Sequence, residues 1–583
     1  GLTGSLNISA GQGWGPKSML SGNIYSVGKR FEFNGAYSWS LDRTRTDLYI
    51  ESAQSMPVFG GDMQVIVNDT SRATQISHNL SGGFMFKPDS LTQAGINLAA
   101  NLSDRDLSVK DRSDYLLLPD SLLHFRGNIQ SKNSWKDWSA SAFFERKIRK
   151  GKILLNADHQ RYRNSNPSSI NTSLTDLNGK QTDANDTLFS PGQRGFANTS
   201  INVFMVKADL QRSLRKDFDI DLGLKATITN SSSRSGIESL INDKWIRRDE
   251  TINAIRMNES IIAGYFSLNR KFSQKSELRI GARFESARTV MKQALTDEVL
   301  ISRSMDKLFP SVAYSKKIDG NYELQFSYSE RITRPTYNDL ASFVRYSDAT
   351  AVYTGNPSLK PTLTKNIRIG YNIREFGFSL QLSRDYNAIA YYQLTTYAAG
   401  NLLYVSPQNL RYRNYYNIQI NAPFHFTKWW DLTTNVVTGI NSLAIDHTEE
   451  KVKKSYYATS ANISNVFRLP ARYTVELSGW FFSPSYNGTV KVSAMGAVNA
   501  GVKKEFSKNR GRLQLSVNDI FRTLKIGSQY GTLTREAFDI RNTVSFRAES
   551  RLVPVFKLTY SRSFGNGGKI SGKVEADERV RRD

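Results

Sequence analysis

Six side chains between Arg331 and Pro361 have the chemistry of a ligand-binding loop: Arg331, Arg334, Tyr337, Tyr346, Tyr353 and Asn356. Guanidinium, phenol and amide groups recognise polar ligands by charge, stacking and hydrogen bonding, without covalent steps. A rigid loop would need many of the same residues. Pro335, Pro357 and Pro361 stiffen the backbone, and Gly355-Asn356 supplies a turn. The rest of the chain adds no catalytic set. With no cysteine, disulfides, thiolate metal sites and cysteine nucleophiles are excluded. The five histidines (His78, His124, His159, His425, His447) have no ligand spacing. The stretch with Asp176, Asn178, Asp183, Asn185 and Asp186 lacks the glycine and final glutamate of an EF-hand loop. No G-x-S-x-G elbow is present. The expectation is a non-enzyme that holds no metal and no cofactor.

The elements that position this loop are strands. Before it, Tyr322, Leu324, Phe326 and Tyr328 alternate with Glu323, Gln325, Ser327 and Ser329; after it, alternation resumes at Ile367. The same pattern recurs along the chain: Phe218, Ile220, Leu222, Leu224, Ala226 and Ile228 oppose Asp219, Asp221, Lys225 and Thr227. Leu278, Ile280, Ala282 and Phe284 oppose Arg279, Arg283 and Glu285, and Leu513, Leu515 and Val517 oppose Arg512, Gln514 and Ser516. Ten tight connections carry turn residues, at 27–30, 87–90, 149–152, 214–217, 273–276, 317–320, 373–375, 427–430, 469–471 and 507–510. They join twenty strands in pairs; one strand before the first pair and one after the last make about 22. Long connections alternate with the tight ones, at Ser40–Gln75, Ser103–Asp137, Arg163–Asn198, Thr229–Asn258, Ala287–Asp306, Arg331–Pro361 and Arg384–Arg413. Short turns on one rim and long loops on the other mark an all-β, single transmembrane antiparallel barrel, with periplasmic turns and extracellular loops. A soluble sandwich rarely reaches this strand number without a domain break, whereas closure removes the sheet edges.

Composition agrees. Mean hydropathy is −0.45, yet a membrane barrel needs apolar residues only at alternate positions. No apolar run is long enough for a transmembrane helix. The net charge of +25 has no accompanying nucleic-acid motif, so Lys and Arg belong to turns and polar faces, with contact to anionic lipid headgroups as a further role. Trp429 and Trp430 sit at a tight turn, where a periplasmic aromatic girdle belongs. Tyr391, Tyr392, Tyr397, Tyr404, Tyr412, Tyr415 and Tyr416 crowd one long loop and its flanks; they fit the outer girdle and loop packing, or a surface for a ligand such as a sugar.

The wording RxTRPxYxxL followed by GNPxLKPxxT resembles the mid-barrel signature of TonB-dependent outer-membrane receptors, in particular the Bacteroidetes-type outer-membrane β-barrel proteins. The matching residues are Arg331, Thr333, Arg334, Pro335, Tyr337, Leu340, Gly355, Asn356, Pro357, Leu359, Lys360, Pro361 and Thr364. The closing stretch Val555–Gly565 is similar to the family's last strand, with Phe564 as a girdle residue and a signal for the barrel assembly machinery. Residues 566–583 are Gly-rich and charged, and should be a disordered tail.

The resemblance implies residence in the Gram-negative cell outer membrane. It implies import of a large scarce nutrient, a siderophore, cobalamin, glycan or peptide, driven by the proton-motive force through TonB. It also implies contact with outer-membrane lipid and lipopolysaccharide, and leaves room for a surface lipoprotein partner. The barrel would occupy residues 1–565. The family's plug and TonB box have no counterpart here, and the chain starts at Gly1 with no leader, so a trimmed precursor with a plug is expected. The alternative is a passive channel or a structural barrel of a secretion or adhesion assembly. Without its plug, a lumen this wide should conduct ions freely.

Overall fold

The computed structural model describes residues 1–565 except 57–60, 118–120, 182–189, 341–344, 347–350, 397–402 and 508, with the backbone alone at 56, 250, 345, 346 and 396. The proposed tail at 566–583 lies outside the described residues, as do Asp183, Asn185 and Asp186.

Twenty-two antiparallel strands close into one barrel. The first, Leu2–Gln12, pairs with the second, Pro16–Val27, on one side and with the last, Val555–Phe564, on the other. All ten tight connections fall where the turn residues place them. One is the Arg149-Lys150 turn, where Lys150 takes a φ of 59° between Ser121–Ile148 and Gly151–Ser165. At the seam the Phe564 ring lies over Gly4, where a Cβ would stand 2.4 Å from the ring and equally close to the Asn23 carbonyl. Only glycine leaves that space.

Most of the long connections are not loops. Phe31–Met56, Gly61–Phe86 and Thr92–Leu117 are strands of 26 residues each, and Ser121–Ile148 has 28. The ladder runs unbroken through Ser40 and Gln75 and through Ser103 and Asp137. A membrane crossing takes only about 9–11 residues, so these hairpins stand well above the bilayer.

The faces show where the bilayer ends. On the strand Phe218–Ile241, Leu222, Leu224 and Ile228 point outward, 41%, 67% and 54% exposed, and Asn230 and Arg234 continue that face in polar form. On the neighbouring strand Asn253–Ser273 the change falls between Ile262 and Ser260, and on Gly61–Phe86 between Ile76 and Thr74. From Phe218 to Ile228 is eleven residues; at about 3.3 Å each and a tilt near 45° they span ~25 Å, the height of an outer-membrane apolar band. Above that line the inner face turns apolar. Met63, Val65, Val67, Tyr115 and Phe125 form a buried cluster pointing into the barrel mouth.

Among the described residues, the connections 334–361 and 387–411 leave the barrel ladder. Their short strands join into a four-stranded sheet in which Ala351–Tyr353 runs parallel to Leu403–Val405.

Candidate functional site

The lumen and the loop sheet over its mouth form the candidate site. Loop 334–361 enters the barrel through Arg334, which ion-pairs with Glu285 and lies 4.0 Å from Glu259, both on the lumen side of the wall. Arg283 holds the other Glu285 oxygen at 2.9 Å, and the Thr289 hydroxyl donates to Glu259 at 3.0 Å. A one-turn helix, Tyr337–Leu340, follows, closed by a reciprocal cap. The Thr336 amide donates to the Asp339 carboxylate at 2.9 Å, and the Asp339 amide donates to the Thr336 hydroxyl at 3.1 Å. That geometry puts Tyr337, Leu340 and Leu359 against Tyr162, Ile201, Ile255, Met257 and Met291 of four wall strands. The Tyr337 hydroxyl lies 3.1 Å from that of Thr229, and Leu359 is fully buried.

Side chains then tie the two loops together. The Asn356 amide donates to the Pro407 carbonyl at 3.0 Å and to Gln408 at 3.2 Å, and its oxygen accepts from the Ser358 amide at 2.9 Å. Asn409 accepts from the Lys360 amide at 2.8 Å and donates to the Lys360 carbonyl at 3.0 Å. From the wall, Arg303 donates to the Leu359 carbonyl at 2.8 Å. Gln393, fully buried, donates to the Asn487 carbonyl at 2.9 Å and accepts from the Thr489 amide at 3.0 Å, joining the second loop to the hairpin at 485–492. Elsewhere on the wall, Tyr404 and Phe538 pack on the Met63–Phe125 cluster, and Val352 packs on Ile237, on the strand that also carries Thr229. The loops therefore meet the wall on several sides and roof the lumen.

Below this cap lies a cavity of about 2250 Å³. Its lining reaches from Glu32 and Glu145 near the tight turns to Arg331, Arg334, Thr336 and Tyr391 under the cap. Eight cationic and eight acidic residues line it, so the cavity wall is charge-balanced. Asp221, Lys225, Arg279, Arg283 and Glu285, expected inward from alternation, are among them. At the roof, the Tyr391 hydroxyl donates to Asp339 at 3.4 Å. Burial raises the Asp339 carboxyl above its ordinary range, against the pull of its Thr336 hydrogen bonds. Burial, followed by the Asp339 charge, pushes the Tyr391 phenol up to about 12.

The six residues singled out by sequence divide. Arg331 and Arg334 face the lumen beneath the cap, Tyr337 is 2% exposed in its core, and Asn356 stitches the loops. Tyr353 is half-buried within the cap sheet, and the side chain of Tyr346 lies outside the described residues. Arg303, Glu259, Gln393 and Asn409 were missed. Each is an ordinary polar residue until strand register brings it to its partner. At the other rim Trp429, 50% exposed, stacks on Trp430 within a group of Phe424, Phe426 and Phe467, and Phe564 is 41% exposed.

Solved structures share the fold at very low identity. The siderophore receptor PirA from Pseudomonas aeruginosa is 11% identical with a TM-score of 0.55, over 97% of this chain and 80% of that one. A variant of the ferric enterobactin receptor PfeA from the same organism, in complex with enterobactin, is 10% identical with a TM-score of 0.60, over 97% and 81%. The copper transporter OprC is 12% identical with a TM-score of 0.60, again over 97% and 81%. No curated protein matches the sequence. The model of the outer membrane protein beta-barrel family matches residues 145–560. With most of its length under that model and a closed 22-stranded barrel, the chain belongs to the outer membrane protein β-barrel family and resides in the outer membrane.

Proposed function

We propose that this barrel is the membrane part of a TonB-dependent receptor that imports a large scarce nutrient, a siderophore, cobalamin, glycan or peptide. One observation carries the reading: a charge-lined cavity of about 2250 Å³ beneath loop segments that pack on the wall. Side chains alone fill a barrel of about eight strands, so a lumen of this size calls for a separate plug segment. The plug would seal the periplasmic end and carry the contact to TonB. The capping loops would shield the ligand entrance until they move. The fold shared with siderophore and copper receptors supports the same reading.

Uptake in whole cells tests it. A deletion strain complemented with the complete gene is offered ferric siderophores, cobalamin, oligosaccharides and peptides in turn. Uptake of one of these should depend on the gene and stop on loss of TonB or addition of a protonophore. Gene-dependent uptake that persists without TonB would replace this reading with a passive channel.

A further inference from the structure

Arg146, Arg212, Arg270, Lys316 and Arg562 stand on the membrane-facing side of the barrel beside the tight-turn rim, each followed two residues on by an apolar residue (Ile148, Leu214, Phe272, Ile318 and Phe564), and Arg270 lies over the Phe272 ring at 5.0 Å. Each continues an apolar outward series. Arg212 follows Phe204 and Val206, 52% and 56% exposed, and Arg270 follows Ile262 and Phe266, 65% and 42% exposed. Cross-strand partners, which share a face, confirm the direction. Arg146 lies opposite Ile153, Arg212 opposite Ile220, Arg270 opposite Leu278, Lys316 opposite Leu324, and Arg562 opposite Leu6. All five are exposed. Among the described residues none of them forms a side-chain ion pair, although Asp89, in a neighbouring turn, feels the charge of Arg146.

Acids at the same level have the opposite parity. Glu145, Asp219, Glu277 and Glu323 alternate with the outward residues and so point to the lumen, where Glu145 meets Lys152 at 3.2 Å. The cavity lining itself is charge-balanced. On these strands the acids at this level thus point inward, while the five named cations stand outward. Four of the cations, Arg146, Arg212, Arg270 and Lys316, stand on alternate strands of one stretch of wall, so neighbours are about 10 Å apart across the sheet.

We propose that this row is a docking surface for anionic phospholipid headgroups of the periplasmic leaflet. A row one step inside the last outward apolar residues of the rim reaches the phosphate layer by snorkelling, its aliphatic stems lying on that apolar surface. A cationic rim beside lipid draws anionic lipids over zwitterionic ones, and salt weakens the attraction. The inference is independent of what the barrel transports.

The test is lipid selectivity of the full-length protein in phosphatidylcholine vesicles, read by electron paramagnetic resonance of spin-labelled phosphatidylglycerol or phosphatidylcholine. At about 20 mM salt the anionic label should be immobilised about threefold more strongly than the zwitterionic one, with the ratio approaching unity at about 0.5 M salt. The R146Q/R212Q/R270Q/K316Q protein should show a ratio near unity at both salts, its folding checked by heat-modifiable gel migration. If that variant does not fold, R212Q/R270Q carries the test and should lose about half of the preference. Equal immobilisation of the two lipids by the wild-type protein at low salt, or a preference unchanged in the folded variant, would overturn the proposal.

Discussion

Replacing Arg334 by methionine should release one loop from the lumen without loosening the barrel. The Glu285 and Glu259 side chains are only 2% and 6% exposed, and Arg334 is 11% exposed. Removing one partner of a buried pair costs about 3–5 kcal/mol, because the remaining charge is left unpaired. Here Glu285 keeps Arg283 and Glu259 keeps the Thr289 hydroxyl, so the low end applies, about 3 kcal/mol. At ~1.4 kcal/mol per tenfold, the undocked population of loop 334–361 should rise about 100-fold. Hydrogen exchange in lipid nanodiscs reads this directly. The Leu340 amide, bonded to the Thr336 carbonyl, and the Asn356 amide, bonded to the Asp339 carbonyl, should exchange about 100-fold faster. Amides of the wall strand Asn253–Ser273 should not change. Adding Glu285→Gln to this variant should cost little more, since the charge it removes has already lost a partner. Unchanged exchange at Leu340 and Asn356, or equal acceleration in the wall, would refute the argument that Arg334 docks the loop.

Three further outcomes follow from other parts of the molecule. Leu224→Arg, at the middle of the apolar belt and 67% exposed, should cost about 2–4 kcal/mol in bilayer refolding, whereas Asn230→Arg, one step above the belt, should cost almost nothing. Burial holds the His447 imidazole down to about 4 against an ordinary 6.5. The unfolded turn therefore binds a proton that the packed turn refuses, so packing of 446–451 is at full strength above pH 6.5 and weakens as pH falls toward 4, by up to about 3 kcal/mol. Limited proteolysis at this turn should rise between pH 7 and 5 in the wild type and stay flat in His447→Phe. Gly4→Val should force the Phe564 ring and the Asn23 carbonyl away from the seam, lowering the temperature at which the barrel loses its heat-modifiable gel shift.

The architecture was legible because each level of the sequence agrees with the next. Turn residues recur at fixed places, and Leu222, Leu224 and Ile228 alternate with polar partners on a strand that meets lipid on one side and water on the other. Strand length was not legible, for the same physical reason. Above the bilayer the solvent outside becomes water and the inside becomes packed protein, so the apolar residues move to the opposite parity: Ile76 and Leu80 point out, while Met63, Val65 and Val67 point in. Alternation read from the belt upward changes phase at that line, and the upper hairpins look like polar loops. The motif around Arg334 located the barrel mouth correctly. It could not say that Tyr337 is packed and Asn356 hydrogen-bonded, because their partners Thr229 and Pro407 are 108 and 51 residues away in sequence.

The central claim, that the nutrient passes through this lumen and that the loop cap must move to admit it, is tested most directly by locking the cap. These 583 residues hold no cysteine, so a pair placed at Ile237 on the wall and Val352 in the cap, packed together and 1% and 0% exposed, supplies the only thiols of the barrel. In cells that need this gene for growth on a limiting nutrient, the oxidised I237C/V352C protein should stop uptake, and reductant should restore it. Uptake at the wild-type rate with the disulfide shown to be formed would contradict the account.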